Sequence, residues 1–209
     1  MKISVIMASY LNLPNKSSQG QKFVRAVKSF LKQTYEDKEL IIVSDGCPIT
    51  VQLYHDNFTS YENIQLIPIP KQAPYSGEMR NIAFEEATGD IITYLDADDV
   101  IGKNHLQTIY DQFDLDKYDF VYYDDLMILN KEFTKTHTRV VEPRYGSIGT
   151  SSLSHKNPTL LANGDQLQWS QGYGHDFLFV MKLNALNCRF KKLEKMPQYI
   201  VCHYRDGDF

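Results

Sequence analysis

The stretch that decides the fold is Gly89–Val100, which reads Gly-Asp-Ile-Ile-Thr-Tyr-Leu-Asp-Ala-Asp-Asp-Val. Its first part, Ile91 to Leu95, is a short apolar run rich in β-branched and aromatic residues, which predicts a strand buried on both faces of a sheet. Three carboxylates, those of Asp96, Asp98 and Asp99, follow directly. Ligands bind at the carboxyl ends of strands in open α/β sheets, so these side chains are candidates for a binding site.

Carboxylates crowded in this way repel one another unless a positive charge lies among them. Their hard oxygen atoms suit Mg²⁺ or Mn²⁺, ions that commonly bridge a protein carboxylate to the phosphates of a substrate. The functional interpretation is a divalent cation that holds a diphosphate. The structural alternative is a polar turn in which Asp99 or a neighbour caps the next helix. An Asp-x-Asp triplet alone favours the turn, whereas its position after a buried strand favours the cation site.

The length, net charge and composition of the chain limit the class of protein to which it can belong. The 209 residues are enough for one α/β domain with a full core. The net charge of −4 gives no general attraction to nucleic acid or to an anionic membrane. No apolar stretch approaches the roughly 20 residues of a membrane-spanning helix, and the first residues are too short and strand-like for a signal peptide. We therefore expect a cytoplasmic protein whose membrane contact, if any, is peripheral, with Cys47, Cys188 and Cys202 as free thiols.

Short apolar strands alternate with amphipathic helices through the first half of the chain, which predicts a mostly parallel, doubly wound sheet. The predicted strands lie at 2–8, 39–43, 64–69, 91–95 and 120–123. Gly89 is expected at the C-cap of the helix before the central strand. After about Leu126 the pattern changes. It then predicts an antiparallel strand at 134–141, a loop at 143–158, a helix at 174–186 and a last strand at 199–204.

Four segments in this order carry a resemblance to a known family: Val5–Tyr10, Glu39–Gly46, Gly77–Asn81 and Gly89–Asp99. Together they closely resemble the nucleotide-sugar-binding half of family-2 glycosyltransferases, which are inverting enzymes of the GT-A fold. The match runs from residue 2 to about residue 125. The remainder resembles the family more loosely, through His175-Asp176 and the closing strand.

The resemblance implies an α/β protein of the GT-A fold, with α/β/α layers around the sheet and a small antiparallel extension. It implies one domain over 1–209, in which 1–125 binds the nucleotide sugar and 126–209 binds the acceptor and supplies the catalytic base. The implied reaction is metal-dependent transfer of a sugar from a nucleotide-diphosphate sugar, expected to be UDP-linked. The implied acceptor is a glycan, lipid-linked or other hydroxyl, as in surface polysaccharide synthesis.

Residue roles in nucleotide binding also follow from the resemblance. Asp45 matches the acid that accepts a hydrogen bond from the uracil ring, and Ala8 and Tyr10 match positions around the nucleotide. Asp96 matches the carboxylate near the ribose hydroxyls, and Arg80 a position where guanidinium pairs with a phosphate or stacks on the base. The alternatives are an Asp-Gly turn at Asp45 and a solvated helix face at Arg80.

The resemblance also implies the ligands of a Mn²⁺ or Mg²⁺ ion. Asp98 matches the direct metal ligand, and Asp96 lies in the same metal shell. Asp99 is often present in the family, with the helix cap as its alternative. His203 is a candidate further ligand, as a late histidine is in some GT-A enzymes, or else a structural histidine on a strand.

Inverting transfer needs a base that takes the proton of the acceptor hydroxyl. Asp176 is our candidate because it matches the second acid of a Glu-Asp pair, here written His175-Asp176, and Asp165 is the reserve. Alternatively, Asp176 stabilises a helix N-terminus, whose dipole would lower its basicity. Trp169 and Tyr173 either stack on an acceptor sugar or belong to the core.

The chain departs from the family pattern at two places. Ser44 stands where many members have a first acid, and an extra residue precedes Asn12. Both departures concern which nucleotide base the protein selects. A sugar nucleotidyltransferase would need a glycine-rich basic loop after the first strand, and a dehalogenase-type phosphatase would place its acids there, so both are disfavoured. A non-catalytic nucleotide- or glycan-binding module of the same fold remains the alternative.

Overall fold

The computed structural model describes residues 1–11, 18–71, 75–130 and 134–202. Five α-helices are formed by these residues: α1 (Gln19–Leu31), α2 (Pro48–Asn57), α3 (Gly77–Glu86), α4 (His105–Gln112) and α5 (His175–Ala185). Eleven strands are formed by the same part of the chain: β1 (Ile3–Ser9), β2 (Lys38–Asp45), β3 (Ile64–Ile69), β4 (Ile91–Tyr94), β5 (Val100–Ile101), β6 (Phe120–Tyr122), β7 (Asp125–Ile128), β8 (Thr136–Arg139), β9 (Leu153–Lys156), β10 (Phe190–Lys192) and β11 (Tyr199–Cys202).

Seven of these strands form the central sheet, in the order β10-β6-β9-β4-β1-β2-β3. β1 pairs in parallel with both β2 and β4, so all three strands run to the same edge. In this register Ser9 lies opposite Ser44, and Ile6 lies opposite Tyr94. The residues that follow β1, β2 and β4 are therefore brought together at one edge of the sheet, as the sequence predicts.

The second sheet is smaller and mixed, with the order β5-β11-β7-β8. β11 pairs in parallel with β7, whereas the β5–β11 and β7–β8 pairs are antiparallel. This sheet confirms the expected extension on a mostly parallel core. In the central sheet, β9 and β10 come from residues 126–209 but pair with β4 and β6 of the first half. The two predicted halves thus share one sheet, and their separate roles remain a prediction.

Apolar side chains cover both faces of the central sheet. Alternate residues of each strand point to opposite faces, so Met7 packs with α1 on one side while Ile6 packs with α3 and α5 on the other. Phe23 and Phe30 of α1 and Phe179 of α5 are fully buried in these two layers. The α/β/α arrangement explains why β1, β2 and β4 read as nearly continuous apolar runs.

The prediction of a loop over Pro143–Pro158 is wrong in part, because β9 lies there, between β4 and β6. β9 is a short polar run, Leu-Ser-His-Lys, and hydropathy does not reveal it. Its polar groups find partners inside the core. Ser154 Oγ lies 3.0 Å from Thr93 Oγ1, and His155 Nε2 lies 2.6 Å from Tyr94 Oη.

Gly89 does not cap a helix, which corrects the expectation from the sequence. α3 ends at Glu86, and its C-cap is Ala87 in extended conformation. Gly89 instead passes close to β1, where its N–H donates to Ser4 Oγ over 2.9 Å. A Cβ atom at Gly89 would lie 2.7 Å from the backbone nitrogen of Ser4 and 2.9 Å from the carbonyl oxygen of Lys2. The small residue is therefore required by the close approach of two backbones.

Two further expectations concern the cysteines and the membrane. Cys47, Cys188 and Cys202 are free thiols, as predicted. None of the helices in the described part of the chain has the length and apolar character needed to cross a bilayer.

His105 is a buried titratable group in the core. Its side chain has no exposed surface, and neither ring nitrogen has a hydrogen-bond partner among the described residues. The ring packs edge-on against Tyr123 and Tyr199, with centroid distances of 5.8 Å. Burial disfavours the charged imidazolium and lowers the pKa of His105 to about 3. The unfolded chain takes up this proton near the ordinary pKa of about 6.5, so acid favours unfolding between these two values.

The substitution His105→Phe should reduce the acid sensitivity of the fold. With the titrating ring removed, the free energy of unfolding should fall less steeply as the pH is lowered. Below pH 6 the slope should be smaller than that of wild type by about 1.4 kcal/mol per pH unit. Urea denaturation at several pH values between 4 and 7 gives the free energy of unfolding of wild type and variant as a function of pH. A change in packing alone shifts the whole curve and leaves its slope unchanged. His55→Phe, on the exposed side of α2, is the matched control. Equal slopes for wild type and His105→Phe would contradict the assignment.

Candidate active site

A cleft of about 410 Å³ opens at the edge where β1, β2 and β4 end. It collects most of the site residues that the sequence predicts, from β1, α3, the turn after β4, and α5. Those residues are Ala8, Tyr10, Arg80, Asp96, Asp98 and Asp176. Asp165 is exposed on a short turn and is not among the residues that line the cleft.

Asp45 lies in an adjoining pocket of about 210 Å³, which shares Ala8 and Tyr10 with the cleft. Its side chain is buried and forms a salt bridge with Lys71. The Lys71 ammonium also lies 4.6 Å from the centre of the Tyr10 ring. Sequence reasoning missed Lys71, because its partner comes from a different strand. The hydroxyl of Ser44 is buried and donates to the carbonyl of Cys47, so it faces neither pocket.

The three carboxylates after β4 have three different environments. Asp98 is exposed, and its carbonyl oxygen accepts a hydrogen bond of 2.7 Å from Arg25. Asp96 is partly exposed; its Oδ2 accepts from Thr150 over 3.1 Å, and its Oδ1 lies 3.5 Å from Arg80 Nη2. Thr150 was not predicted, since it belongs to the stretch interpreted as a loop. Asp99 is buried.

Asp99 does not cap α4, which corrects the alternative from the sequence, because Asn104 is at the N-cap. Its Oδ1 instead accepts from the N–H of Cys202 over 2.8 Å. Burial raises the pKa of Asp99 well above its usual range, and the neighbouring carboxylates of Asp96 and Asp98 raise it further. Asp99 therefore joins the turn at residues 96–99, which we call the acidic turn, to β11. The residue after Cys202 is His203, which lies outside the described residues.

Tyr199 completes this connection between the acidic turn and β11. Its hydroxyl accepts a hydrogen bond of 2.9 Å from the backbone N–H of Asp96 and also bonds to the Asp99 carboxyl group. The side chain is fully buried. Sequence reasoning identified Tyr199 only as the start of a strand, because 103 residues separate it from Asp96.

Arg80 is buried, so the alternative of a solvated helix face is wrong. Its Nη1 lies 2.9 Å from His175 Nε2, and its guanidinium carbon lies 4.6 Å from the centre of the Trp169 ring. Trp169 is buried as well, and its ring stacks on Phe179 with the centroids 4.1 Å apart. With its faces packed against Arg80 and Phe179, Trp169 belongs to the core and is not available to an acceptor.

His175 and Asp176 form the first turn of α5 at the cleft wall. His175 Nδ1 lies 3.0 Å from the carbonyl oxygen of Gly172, so we assign the proton to Nδ1. Nε2 then accepts from Arg80 and has no proton to give to Asp176 Oδ1, which lies 3.2 Å away. Accordingly, Asp176 Oδ1 is buried without a donor among the described residues.

The carboxylates that line the cleft supply only some of the ligands that a cation needs. The described residues contain no group of three or more His, Cys, Asp or Glu side chains placed to hold a metal ion. However, burial raises the pKa of Asp96, and although Arg80 lowers it, the carboxylates of Asp98 and Asp176 raise it further. A cation beside Asp96 and Asp98 would relieve this repulsion, and their hard oxygens are of the type that Mn²⁺ and Mg²⁺ prefer.

The chain has the GT-A fold. Residues 1–349 of TarS from Staphylococcus aureus superpose with a TM-score of 0.72 at 18% identity, over 97% of this chain and 60% of that one. TarS in complex with UDP-GlcNAc gives 0.71 at 18% identity, over 97% and 58%. The mannosyltransferase PcManGT from Pyrobaculum calidifontis, in complex with GDP-Man and Mn²⁺, gives 0.64 at 14% identity, over 98% and 56%.

The sequence profile of glycosyl transferase family 2 matches residues 4–188, so the chain belongs to this family. GlyG of Streptococcus pneumoniae is 29% identical over 110 residues, which are 53% of this chain and 34% of GlyG. An uncharacterised glycosyltransferase of Nostoc is 33% identical over 113 residues, which are 54% of this chain and 33% of that protein. The matches thus span about a third of each relative. They confirm the resemblance found in the sequence.

The substitution Tyr199→Phe should destabilise the fold, because it leaves the partly buried N–H of Asp96 and the buried carboxyl group of Asp99 without this partner. The expected loss is about 1–3 kcal/mol of unfolding free energy, measured by urea denaturation. Tyr110→Phe on α4, where the side chain is 37% exposed, is the matched control. If both variants unfold at the same urea concentration, the Tyr199 hydroxyl does not hold the acidic turn.

Proposed function

We propose that this chain transfers a sugar, with inversion, from a UDP-sugar to a hydroxyl acceptor, with Mn²⁺ or Mg²⁺ bound at the donor diphosphate. One observation carries the proposal: Asp96 and Asp98 from the end of β4 line the same cleft as Asp176 from α5, beside the pocket that holds Asp45. Membership of family 2 and the complexes of TarS with UDP and UDP-GlcNAc support it.

In this proposal the pocket around Asp45 and Tyr10 takes the base of the nucleotide. A carboxylate has about four lone-pair sites, so Asp45 can accept from the uracil ring while it stays paired with Lys71. Asp96, which lines the cleft next to this pocket, is assigned to the ribose hydroxyls. Arg80 places its positive charge behind Asp96 and near the diphosphate.

The diphosphate is assigned to the part of the cleft beside Asp98. Asp98 presents an exposed carboxylate there while Arg25 holds its backbone carbonyl, so the direction of the turn is fixed. Asp98 and Asp96 would hold the cation, and diphosphate oxygens would complete its shell. A bound cation would stabilise the charge that develops on the leaving nucleoside diphosphate.

Asp176 is assigned as the base. Its carboxylate takes the proton of the acceptor hydroxyl while that oxygen attacks the anomeric carbon from the face opposite the diphosphate. A carbon–oxygen bond forms to the acceptor, and the bond to the diphosphate oxygen breaks. The positive end of the α5 dipole favours the charged form of Asp176, which opposes this role. The position of Asp176 in the wall of the same cleft as Asp96 and Asp98 favours it.

The substitution Asp98→Asn should abolish the dependence of UDP binding on Mn²⁺. Isothermal titration calorimetry of UDP with and without Mn²⁺ measures it. We expect wild type to bind UDP at least about tenfold more tightly with Mn²⁺, a difference of about 1.4 kcal/mol, and the variant to bind equally in both conditions. Asp111→Asn, on the exposed side of α4, is the matched control. An unchanged effect of Mn²⁺ in Asp98→Asn would refute the metal assignment.

The substitution Asp176→Asn should retain UDP binding and lose transfer. The amide has the same shape but cannot take the proton, so turnover should fall by about 10²–10⁴-fold. UDP release from UDP-sugars measures turnover, and calorimetry measures UDP affinity.

Asp165→Asn is the parallel variant for the Asp176 test. Near-normal turnover in Asp176→Asn together with a large loss in Asp165→Asn would transfer the role of base to Asp165. Wild-type protein that binds UDP but turns over no UDP-sugar would instead support a non-catalytic binding module.

A further inference from the structure

A third pocket, of about 210 Å³, lies beside the cleft and shares His175 and Asp176 with it. Its other walls are aromatic. We call it the aromatic pocket, and its aromatic residues are Tyr75, Tyr145, Tyr173 and Phe177. The nucleotide and the metal in the proposed function leave this pocket without a role.

The rings of the aromatic pocket are unusually open to solvent. The side chain of Tyr173 is 83% exposed, and that of Tyr145 is 59% exposed. Tyr145 stands edge-on to both Tyr173 and Phe177, with interplanar angles of 67° and 84°. The rings therefore form a corner with exposed faces and do not collapse into a stack. Clustered aromatic side chains left exposed at a concave site mark a surface that binds another molecule.

The backbone is built to hold this corner next to Asp176. Gly174, which precedes α5, has φ of +78°, and a Cβ there would lie 2.8 Å from Cε2 of Tyr145. A larger residue would push Tyr145 away from the start of the helix. Gly172 also has positive φ, at +105°, so Tyr173 is displayed between two glycines. Tyr145 and Tyr173 thereby line the same pocket as the proposed catalytic base.

We propose that the aromatic pocket binds the acceptor, and that the acceptor is a neutral sugar ring. This inference rests on the proposed function, since it assumes that Asp176 receives the acceptor proton. The face of an aromatic ring carries partial negative charge, which attracts the C–H face of a sugar. A ring lying on Tyr173 and Tyr145 would direct its hydroxyl edge towards Asp176.

The lining of the pocket argues against an anionic acceptor. No lysine or arginine occurs among the described residues that line it, and Asp176 is its acidic member. A phosphate group would meet the Asp176 carboxylate there, and Arg80, which contacts the lining residue His175, is already paired with Asp96. A neutral ring, by contrast, needs only aromatic surface and a few hydrogen-bonding groups, which Asp176 and the hydroxyls of Tyr75 and Tyr145 provide.

The test uses methyl glycosides of glucose, galactose, mannose and N-acetylglucosamine as acceptor probes. With Mn²⁺ and a UDP-sugar that the protein hydrolyses, at least one glycoside should accelerate UDP release in a saturable manner. Tyr173→Ala should raise the KM for that glycoside by tenfold or more, with kcat and the UDP affinity within about twofold of wild type. Tyr173→Phe should retain the wild-type KM, because stacking requires the ring and not the hydroxyl.

Tyr61→Ala, at a site where the side chain is 42% exposed, is the matched control and should leave all constants unchanged. Because Tyr173 is so exposed, its replacement does not threaten folding. A raised donor KM in Tyr173→Ala, with the glycoside KM unchanged, would overturn the inference by assigning the pocket to the donor sugar. Stimulation by n-butanol but by no glycoside would overturn it in favour of an apolar acceptor.

Saturation-transfer NMR separates failure of this inference from failure of the proposed function. Glycoside binding in the presence of UDP that disappears in Tyr173→Ala supports the aromatic pocket as the sugar site independently of turnover. If UDP binds and UDP-sugar is hydrolysed, but no glycoside binds or stimulates release, the inference is wrong and the proposed function stands. If UDP does not bind at all, the proposed function is wrong and the inference falls with it.

Discussion

The guanidinium of Arg80 is buried between the turn after β4 and the start of α5. A buried cation is costly unless it is paired and hydrogen-bonded, so its partners must be held in place. Those partners are the Asp96 carboxylate, the His175 ring and the face of Trp169. Through them, one side chain of α3 joins the acidic turn to the helix that carries Asp176. The two walls of the cleft are thus set by the requirement to satisfy one buried charge.

The acidic turn shows how one short motif supplies three different side-chain environments. Asp99 is buried and joined to β11 through the Cys202 N–H and the Tyr199 hydroxyl, which gives it a structural role. Asp96 is partly covered and paired, and Asp98 is exposed to the cleft. Because Asp99 anchors the turn, the other two carboxylates can stay close together despite their mutual repulsion. That arrangement is what a cation site at this edge would need.

Three adjoining spaces lie along the carboxyl edge of the sheet. The pocket of Asp45 shares Ala8 and Tyr10 with the cleft, and the cleft shares His175 and Asp176 with the aromatic pocket. The Asp45 pocket and the aromatic pocket also share Tyr75, so in the proposed reaction the nucleotide base, the diphosphate and the acceptor occupy three spaces that adjoin one another. Asp176, the carboxylate assigned as the catalytic base, lines both the cleft and the aromatic pocket, as a residue between donor and acceptor must.

Most of the sheet and much of the site could be predicted from local sequence, because apolar runs such as Ile91–Leu95 and the acids that follow them are contiguous in the chain. The parallel sheet, the family and the meeting of Asp96, Asp98, Arg80 and Asp176 at one edge follow from such patterns. β9 could not be found in this way, since its polar side chains are satisfied by partners in distant strands.

The amino-acid sequence by itself determined the parallel strands of the first half and the acids that follow them, because apolar strands that alternate with amphipathic helices are joined by parallel crossovers. Only the tertiary structure decided what each acid does. Asp99 anchors β11, Arg80 is buried and Trp169 belongs to the core, because their partners are separated from them by up to 103 residues. Contacts over such distances depend on how the layers pack, and no short segment encodes them.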